Sequence, residues 1–324
     1  MANREEAENE EYERLKNSKF KQQKLPGWRP VPTITSTTII FFCFGAVFIV
    51  LGIIILVFSN QIEEVSYRYD EECKNQKEKD KNKPCTITMH IKNKMEPKIM
   101  IYYQLNGFYQ NHRRYVKSKS DEQLHGKEFT VEEMKDSQDC DPAITNEDMG
   151  KIYSCLGDKE ENKLNPKGLA IPCGLIAKSF FNDVFKKWEL EDGTKLEPNE
   201  KDIAWKADKE LKYKNTKDLN KQWIDMTNEH FIVWMRPAGL PNFRKLWGRI
   251  EKTIEANSNV IVEIEDNFDV STFNGKKYLI LSTVNAFGGK NSFLGISYIV
   301  LGGISIILAV VFIIGYNVHS KKNK

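Results

Sequence analysis

The sequence predicts a membrane protein with two transmembrane α-helices that flank a single α+β ectodomain built on an antiparallel β-sheet core. Two uncharged apolar runs, Ile39 to Phe58 and Phe293 to Ile314, lie near opposite ends of the chain. Each is close to the ~20 residues that a helix needs to cross a bilayer. The sequence between them is polar and contains most of the cysteines, so it is expected to lie on one side of the membrane. The predicted segments are a cytosolic N-terminal segment (1–38), a transmembrane helix (39–58), a disulfide-containing ectodomain (59–292), a second transmembrane helix (293–316) and a cytosolic tail (317–324).

The orientation in the membrane follows from the distribution of basic residues. Cytosolic flanks retain Lys and Arg, whereas translocated flanks carry fewer of them near the span. The basic residues at the outer ends of the two runs are Lys19, Lys21, Lys24, Arg29, Lys321, Lys322 and Lys324. Residues 61–65, just after the first run, contain two glutamates and no cation. Both termini are therefore predicted to be cytosolic, with residues 61–290 on the lumenal or extracellular side.

Alternating apolar residues predict the strands of the ectodomain. In Thr86 to Ile91 and Val260 to Ile264 every second side chain is apolar, which is typical of half-buried strands. Lys98 to Leu105 and Tyr278 to Ser282 are more uniformly apolar strand candidates. An antiparallel sheet is the simplest arrangement for these segments.

Two further segments show a helical period instead. Apolar side chains recur at i, i+3, i+4 and i+7 in one set formed by Phe181, Val184, Phe185 and Trp188, and in a second formed by Phe243, Leu246, Trp247 and Ile250. Pro241 precedes the second set, as is common at the first turn of a helix. Both segments are therefore predicted to be surface helices whose apolar side faces the core. The segments predicted to be loops are rich in charge, Pro or Gly, namely Lys74 to Lys83, Lys117 to Glu133 and Glu189 to Lys201.

Of the six cysteines, Cys43 lies in the first apolar run and the others lie in the predicted ectodomain. Nearest-neighbour pairing would join Cys73 to Cys85 and Cys140 to Cys155, and each short loop closed in this way contributes about 3 kcal/mol. Cys173 would then keep a free thiol. The sequence has no C-x-x-C motif or paired Cys/His set, so the spacing argues against a structural zinc site.

The sequence contains no recognisable catalytic or cofactor motif. The five histidines form no H-E-x-x-H pair, and no G-x-x-x-x-G-K-[ST] phosphate loop occurs. Asn111, His112, Arg113 and Arg114 form either an anion or catalytic site, or a cluster that ties loops together by charge-assisted hydrogen bonds. The net charge of +3 and the absence of aromatic residues from the basic stretch 74–83 argue against nucleic-acid binding. We therefore expect no enzyme activity, no cofactor and no metal.

Small residues recur every seven positions in both apolar runs. The set comprises Thr38, Gly45, Gly52 and Ser59 in the first run, and Gly295, Gly302 and Ala309 in the second. Such a stripe lets another helix approach closely within lipid. Two interpretations remain open: the stripes receive a helix of a partner protein, or the two spans pack on each other.

Several longer motifs resemble those of the cell-division-control-fifty (ligand-effect-modulator-three) family, the β-subunits of type-IV P-type ATPases. The resemblance extends from about residue 20 to residue 310. It rests on Phe20 to Pro30 (FKQQKLPGWRP), Phe108 to Ser118 (FYQNHRRYVKS), Ile171 to Gly174 (IPCG), Phe181 to Asp183 (FND), Phe231 to Arg236 (FIVWMR), Leu240 to Leu246 (LPNFRKL) and Gly288 to Asn291 (GGKN).

The resemblance implies a non-catalytic subunit in a heterodimer with a flippase ATPase, which hydrolyses ATP and moves phospholipid toward the cytosolic leaflet. Assembly would support folding of the ATPase, its export from the endoplasmic reticulum and its activity. The complex would be located in the endoplasmic reticulum, the Golgi or endosome, and the plasma membrane. The residues expected to bind the partner on this basis are Phe20, Leu25, Pro26, Trp28, Gly45, Gly52, Gly295, Gly302, Ala309, Asn111, His112, Arg113 and Arg114. The resemblance also supports the Cys73–Cys85 and Cys140–Cys155 pairs, with Cys173 unpaired. A stand-alone receptor or adhesion ectodomain anchored by two helices is the alternative.

Overall fold

Two long apolar helices stand at either end of the part of the chain that folds into sheets. The structure, a computed structural model, describes residues 12–24, 33–80 and 84–322. Helix α1 (Ile34–Asn60) and helix α10 (Ser292–Lys322) are both long and apolar enough to cross a membrane. Only 11% of the most apolar window of each is buried, so most of their apolar side chains are available to lipid or to a partner. The expectation of a two-span membrane protein with an ectodomain is confirmed.

Contacts divide the chain into two units, one with the described residues up to Ile54 and from Phe293 onward, the other Ile55–Ser292. In the first unit α1 and α10 pack on each other through aromatic pairs. The ring centroids of Phe41 and Phe312 are 5.8 Å apart, and those of Phe48 and Tyr298 are 5.4 Å apart.

The second unit contains two antiparallel sheets. A four-stranded sheet has the order β1-β7-β3-β5, and a three-stranded sheet has the order β2-β6-β4. The strands are β1 (Glu64–Arg68), β2 (Cys85–Ile91), β3 (Ile99–Asn106), β4 (Val184–Leu190), β5 (Asn242–Ile250), β6 (Ser258–Glu265) and β7 (Lys276–Ser282). The two strands predicted from alternation are confirmed as β2 and β6, and the two more uniformly apolar candidates are confirmed as β3 and β7.

Short helices occupy the connections between strands. They are α2 (Asp70–Lys79), α3 (Arg113–Lys117), α4 (Asp121–Leu124), α5 (Val131–Ser137), α6 (Asn146–Met149), α7 (Leu175–Lys178), α8 (Lys206–Leu211) and α9 (Glu229–Trp234), with 3-10 turns at Glu160–Asn162, Leu219–Lys221 and Ser271–Phe273. The prediction of a loop over 74–83 was wrong for its first part, because α2 extends to Lys79. Its acidic first turn and basic last turn suit the helix dipole.

The core lies between the two sheets. Side chains on alternate positions of β2, β3 and β6 are buried in one cluster, as half-buried strands require. Phe185 of β4 meets Trp247 of β5 edge to face, with ring centroids 5.0 Å apart, and so joins the two sheets.

The two predicted surface helices at 181–188 and 243–250 were wrong, since the first segment enters strand β4 at Val184 and the second lies in strand β5. The pairing of β4 with β6 shifts register between Phe185 and Lys187, which places Phe185 and Trp188 on the core side three positions apart. The pairing of β3 with β5 shifts between Ile101 and Tyr102, so that Trp247 is the extra residue of β5. A β-bulge inserts one residue into the two-residue alternation, and the resulting spacing imitates a helix.

A buried ionic cluster fastens β7 to the segment before β4. Lys277 is 1% exposed, and its Nζ donates to Asp183 Oδ2 (2.7 Å), to the carbonyl oxygen of Phe268 (2.7 Å) and to Asp266. The Tyr69 hydroxyl also donates to Asp183 Oδ2, at 2.7 Å. Burial raises the pKa of that hydroxyl, so it remains a neutral donor. Asp183, the last residue of the FND motif, therefore has a structural role.

Candidate partner interface

The motif Phe108 to Ser118 alternates buried anchors with exposed side chains. The Phe108 ring contacts a group of aromatic rings, namely Tyr115, Trp234, Phe243, Phe268 and Phe273. Gln110 is fully buried and accepts a hydrogen bond from the backbone N–H of Ala238 at 2.9 Å. The hydroxyls of Tyr115 and Ser179 are hydrogen-bonded at 2.7 Å. These anchors fix the backbone on which the motif's polar side chains stand.

Between the anchors, the side chains from Asn111 to Arg114 are exposed. Asn111 Nδ2 donates to the carbonyl oxygen of Gly239 at 2.9 Å, so this residue does tie two loops together. Within the described part of the chain, neither Arg113 nor Arg114 has a carboxylate within 4.0 Å. Two uncompensated cations on a fixed backbone favour a negatively charged partner surface.

His112 and Arg114 line a cleft of about 1640 Å³ in the ectodomain. Lys117 and Lys135 add two further cations to its wall, and three aspartates, Asp139, Asp141 and Asp148, line it as well. The cleft is wide and open rather than a closed pocket for a small molecule. Such a surface suits a protein segment better than a reaction centre, and the sequence alone did not indicate its size.

Two large apolar side chains are exposed beside these cations. Tyr109 is 63% exposed and Leu240 is 70% exposed. The hydrogen bond from Asn111 to Gly239 brings their two loops together. Aromatic side chains and arginines are enriched where protein interfaces gain most of their energy. Tyr109 and Leu240 were not predicted from the sequence to contact a partner, although both lie within motifs of the family resemblance.

Ser118, the last residue of the motif, joins it to the IPCG segment. Its buried hydroxyl donates to the carbonyl oxygen of Cys140 at 3.1 Å and accepts from the N–H of Leu175 at 2.8 Å. Gly174 has a φ of +99°, and a methyl group built on it would lie 2.2 Å from the Ser118 carbonyl oxygen. Only glycine allows this backbone contact. The two motifs are therefore one structural unit.

The cysteine pairing predicted for this region was wrong in one of its two bonds. Cys73 and Cys85 form a disulfide, as expected, but Cys140 pairs with Cys173 and not with Cys155. The Ser118 junction brings Cys140 and Cys173 to a Cα separation of 5.6 Å. Cys155 instead packs against the 219–222 turn, where its N–H donates to the Gln222 carbonyl oxygen at 2.8 Å. Burial raises the pKa of its free thiol and so disfavours the reactive thiolate.

Lys245 links two more of the recognised motifs. Its Nζ donates to the carbonyl oxygens of Val233 (2.8 Å), Trp234 (3.1 Å) and Arg236 (2.5 Å), at the C-terminal end of α9. Burial, with a smaller contribution from Arg236, lowers the pKa of Lys245 to about 7. The LPNFRKL segment, which begins at Leu240, is thus fixed to the FIVWMR segment.

In the membrane unit, the glycine stripes lie between α1 and α10. A methyl group built on Gly45 would lie 2.6 Å from Ile306 Cγ1 and 2.9 Å from the Gly302 carbonyl oxygen. One built on Gly52 would lie 2.7 Å from Ile299 Cγ1 and 2.8 Å from the Gly295 carbonyl oxygen. Ala309, further along the stripe, is 1% exposed. Of the two interpretations left open by the sequence, these contacts match packing of the two spans on each other.

We therefore expect Gly302→Leu to loosen the pairing of α1 with α10. A methyl group at this position would already lie 2.7 Å from Ile49 Cγ1, and lipid does not replace the close contacts that a larger side chain removes. A loss of roughly 1–2 kcal/mol would lower pairing about 5- to 30-fold. Oxidative cross-linking of Phe41→Cys with Phe312→Cys, in a Cys43→Ser background, measures the pairing.

Gly303→Leu is the matched control for this experiment, because a methyl group on Gly303 meets nothing within 4 Å. Cross-linking should stay near the parent level in this variant. Equal cross-linking in the Gly302 and Gly303 variants would contradict the packing role of the stripe.

The N-terminal segment is only partly described. Residues 12–17 are helical, and Phe20 is 75% exposed. Leu25, Pro26 and Trp28, which the resemblance assigns to the partner interface, lie outside the described residues. Their role stays a prediction.

The fold and this surface define a class of protein: a two-span membrane protein whose disulfide-bonded domain presents a fixed basic and apolar surface. The sequence profile of the LEM3 (ligand-effect modulator 3) family / CDC50 family matches residues 55–322. The chain belongs to this family.

Named relatives agree with the family match over nearly the whole chain. ALA-interacting subunit 3 of Arabidopsis thaliana is 38% identical over 332 residues, covering 95% of this chain and 88% of the relative. Cell cycle control protein 50A of Bos taurus is 36% identical over 339 residues, covering 92% and 88%. Cell cycle control protein 50C of Macaca fascicularis is 31% identical over 329 residues, covering 89% of each chain.

Proposed function

We propose that this protein is the non-catalytic accessory (β) subunit of a type-IV P-type ATPase that moves phospholipid to the cytosolic leaflet. The family match and the relatives named as interacting subunits support an assembly role. In this heterodimer the ATPase hydrolyses ATP and selects the lipid. The subunit contributes binding surfaces, and it supports folding of the ATPase, export from the endoplasmic reticulum and transport activity.

The proposed topology follows the basic flanks of the two spans. Both termini are cytosolic, and residues 61–290 face the lumen or the cell exterior, where a disulfide-bonded domain is stable. The complex resides in the endoplasmic reticulum, Golgi or endosome, and plasma membrane. On this topology, the exposed cations of the FYQNHRRYVKS motif meet acidic exoplasmic loops of the ATPase.

One observation carries this proposal: Arg113 and Arg114 hold uncompensated positive charge on a backbone that is fixed in place. Their backbone is held by the buried Gln110 and Tyr115, and their guanidinium groups have no carboxylate partner among the described residues. Tyr109 and Leu240 add exposed apolar area beside them. A fixed surface of this composition has little ordering cost on binding, which favours stable assembly.

Reversing this charge tests the proposal. We expect the double variant Arg113→Glu, Arg114→Glu to recover roughly tenfold less type-IV ATPase in affinity purification from native membranes. Like charges brought together at an interface cost several kcal/mol. The lipid-stimulated ATP hydrolysis of the recovered material should fall in parallel, and the subunit itself should keep both disulfides.

The matched control is Lys214→Glu with Lys217→Glu, which makes the same charge change at two exposed lysines that, like the arginines, have no carboxylate within 4.0 Å among the described residues. If ATPase were recovered normally with the arginine variant as well as with this control, the motif would not be part of the interface.

The alternative function, a stand-alone receptor or adhesion protein, predicts normal stability and export of the subunit in cells that lack every type-IV ATPase.

A further inference from the structure

A second, smaller cavity opens in the ectodomain, and it shares no lining residue with the cleft at His112. Its volume is about 280 Å³. Four aromatic side chains line it, namely Tyr103, Phe180, Phe181 and Trp247. Tyr103 and Phe181 are stacked with ring centroids 3.9 Å apart. The cavity is thus small and walled largely by aromatic rings.

The polar groups of this cavity centre on His230 and Glu200. His230 Nε2 lies 2.9 Å from Glu200 Oε2, and the imidazole packs against Trp247 with ring centroids 5.0 Å apart. A carboxylate at Nε2 places the proton of the neutral imidazole on that nitrogen. Nδ1 is then an acceptor. It has no hydrogen-bond partner among the described residues, and it is buried, so a ligand in the cavity does not reach it.

The remaining lining residues limit the charge of a ligand. The carboxylate of Asp183 is already engaged by Tyr69 and Lys277, so it adds no uncompensated charge. None of the described residues that line the cavity is Lys or Arg. A phosphate or carboxylate would find no cation here, whereas aromatic rings and the Glu200 carboxylate both attract a cation.

We propose that this cavity binds a small primary ammonium compound with an apolar body. The apolar body packs among the aromatic rings, and the ammonium group donates an N–H to the Glu200 carboxylate. A quaternary ammonium has the charge but no N–H, and an alcohol has the O–H but no charge. The site therefore prefers a primary ammonium to either analogue, and the absence of Lys and Arg favours a free amine over a zwitterionic phospholipid headgroup.

Calorimetric titration of the full chain in lipid nanodiscs tests this with phenethylamine as the probe. We expect saturable binding of phenethylamine, with clearly weaker binding of phenethyl alcohol and of N,N,N-trimethylphenethylammonium. Glu200→Gln keeps an acceptor for His230 but removes the charge, and should weaken phenethylamine binding about fivefold or more. His230→Phe keeps a ring against Trp247 and leaves the Glu200 carboxylate in place, so it should retain the preference for the primary over the quaternary compound.

Glu197→Gln is the matched control, because Glu197 is an exposed glutamate three positions away that does not line the cavity. It should bind phenethylamine like the parent chain, and it also reports any partition of the amine into the lipid. Absence of phenethylamine binding, equal binding of the alcohol, or an unchanged affinity in Glu200→Gln would each overturn the proposal. If phosphorylethanolamine bound more tightly than phenethylamine, the site would be one for lipid headgroups, and the proposed preference for a free amine would be overturned.

Discussion

Replacing Lys277 with methionine should strongly destabilise the ectodomain. The methionine fills most of the volume but leaves the carboxylates of Asp183 and Asp266 without the cation that pairs with both. Breaking a buried ion pair by removing one partner costs roughly 3–5 kcal/mol. For a domain of this size the melting temperature should fall by roughly 6–20 °C. Thermal unfolding of the full chain, followed by near-ultraviolet circular dichroism, measures the change.

Lys276→Met, one position earlier on β7, controls for the loss of a lysine. Its side chain is on the exposed face of the strand, whereas that of Lys277 is buried. The melting temperature of this variant should stay close to that of the parent. If the Lys277 and Lys276 variants had the same melting temperature, the buried cluster would contribute no net stability.

Cys173→Ser should produce the second large effect. It opens the bond between Cys140 and Cys173, which are 33 residues apart, and loop-closure entropy gives a cost of about 3–4 kcal/mol. The same substitution also leaves a lone thiol at Cys140 beside the Ser118 junction. We expect low recovery of folded protein and a lower melting temperature in non-reducing conditions.

Cys155→Ser distinguishes the two possible pairings of Cys140. Because the Cys155 thiol is free, this variant should fold, melt and keep both disulfides like the parent. Peptide mapping of the oxidised chain should recover Cys140 linked to Cys173. A Cys140–Cys155 peptide, or a Cys155 variant as unstable as the Cys173 variant, would contradict the assignment.

The sequence predicted the features of this fold that depend on long uninterrupted patterns. The two spans are apolar over whole bilayer lengths, and strands such as β2 keep strict alternation on the buried face. A pattern of this kind has one physical solution, so composition and period suffice to predict it.

The two misassigned strands show where that reasoning fails. In β4 and β5 a single extra residue shifts the apolar positions by one, and Pro241 before β5 strengthened the helical interpretation. A bulge is specified by pairing with a neighbouring strand, which lies far away in sequence. Local spacing therefore contained no signal that separates a bulged strand from a short amphipathic helix.

The candidate interface was predicted in part. The motif resemblance located Asn111 to Arg114 without saying which of them stay unpaired, because that depends on contacts such as Asn111 with Gly239. The disulfide error has the same origin. Loop length favours the nearest cysteine, whereas the native pairing of Cys140 is set by the tertiary contact between Ser118 and Gly174.

The two ends of the ectodomain chain are held together, and this has a consequence for cooperativity. Strand β1 pairs with β7, and the N–H of Asn291 donates to the Ser59 hydroxyl at 3.0 Å across a sequence separation of 232 residues. Closing a flexible loop of that length costs about 5 kcal/mol of chain entropy. Helix pairing in the membrane closes the same loop, so whichever closure forms first lowers the cost of the other. Pairing of the two helices and pairing of β1 with β7 therefore stabilise each other, because each closes the loop that the other also requires.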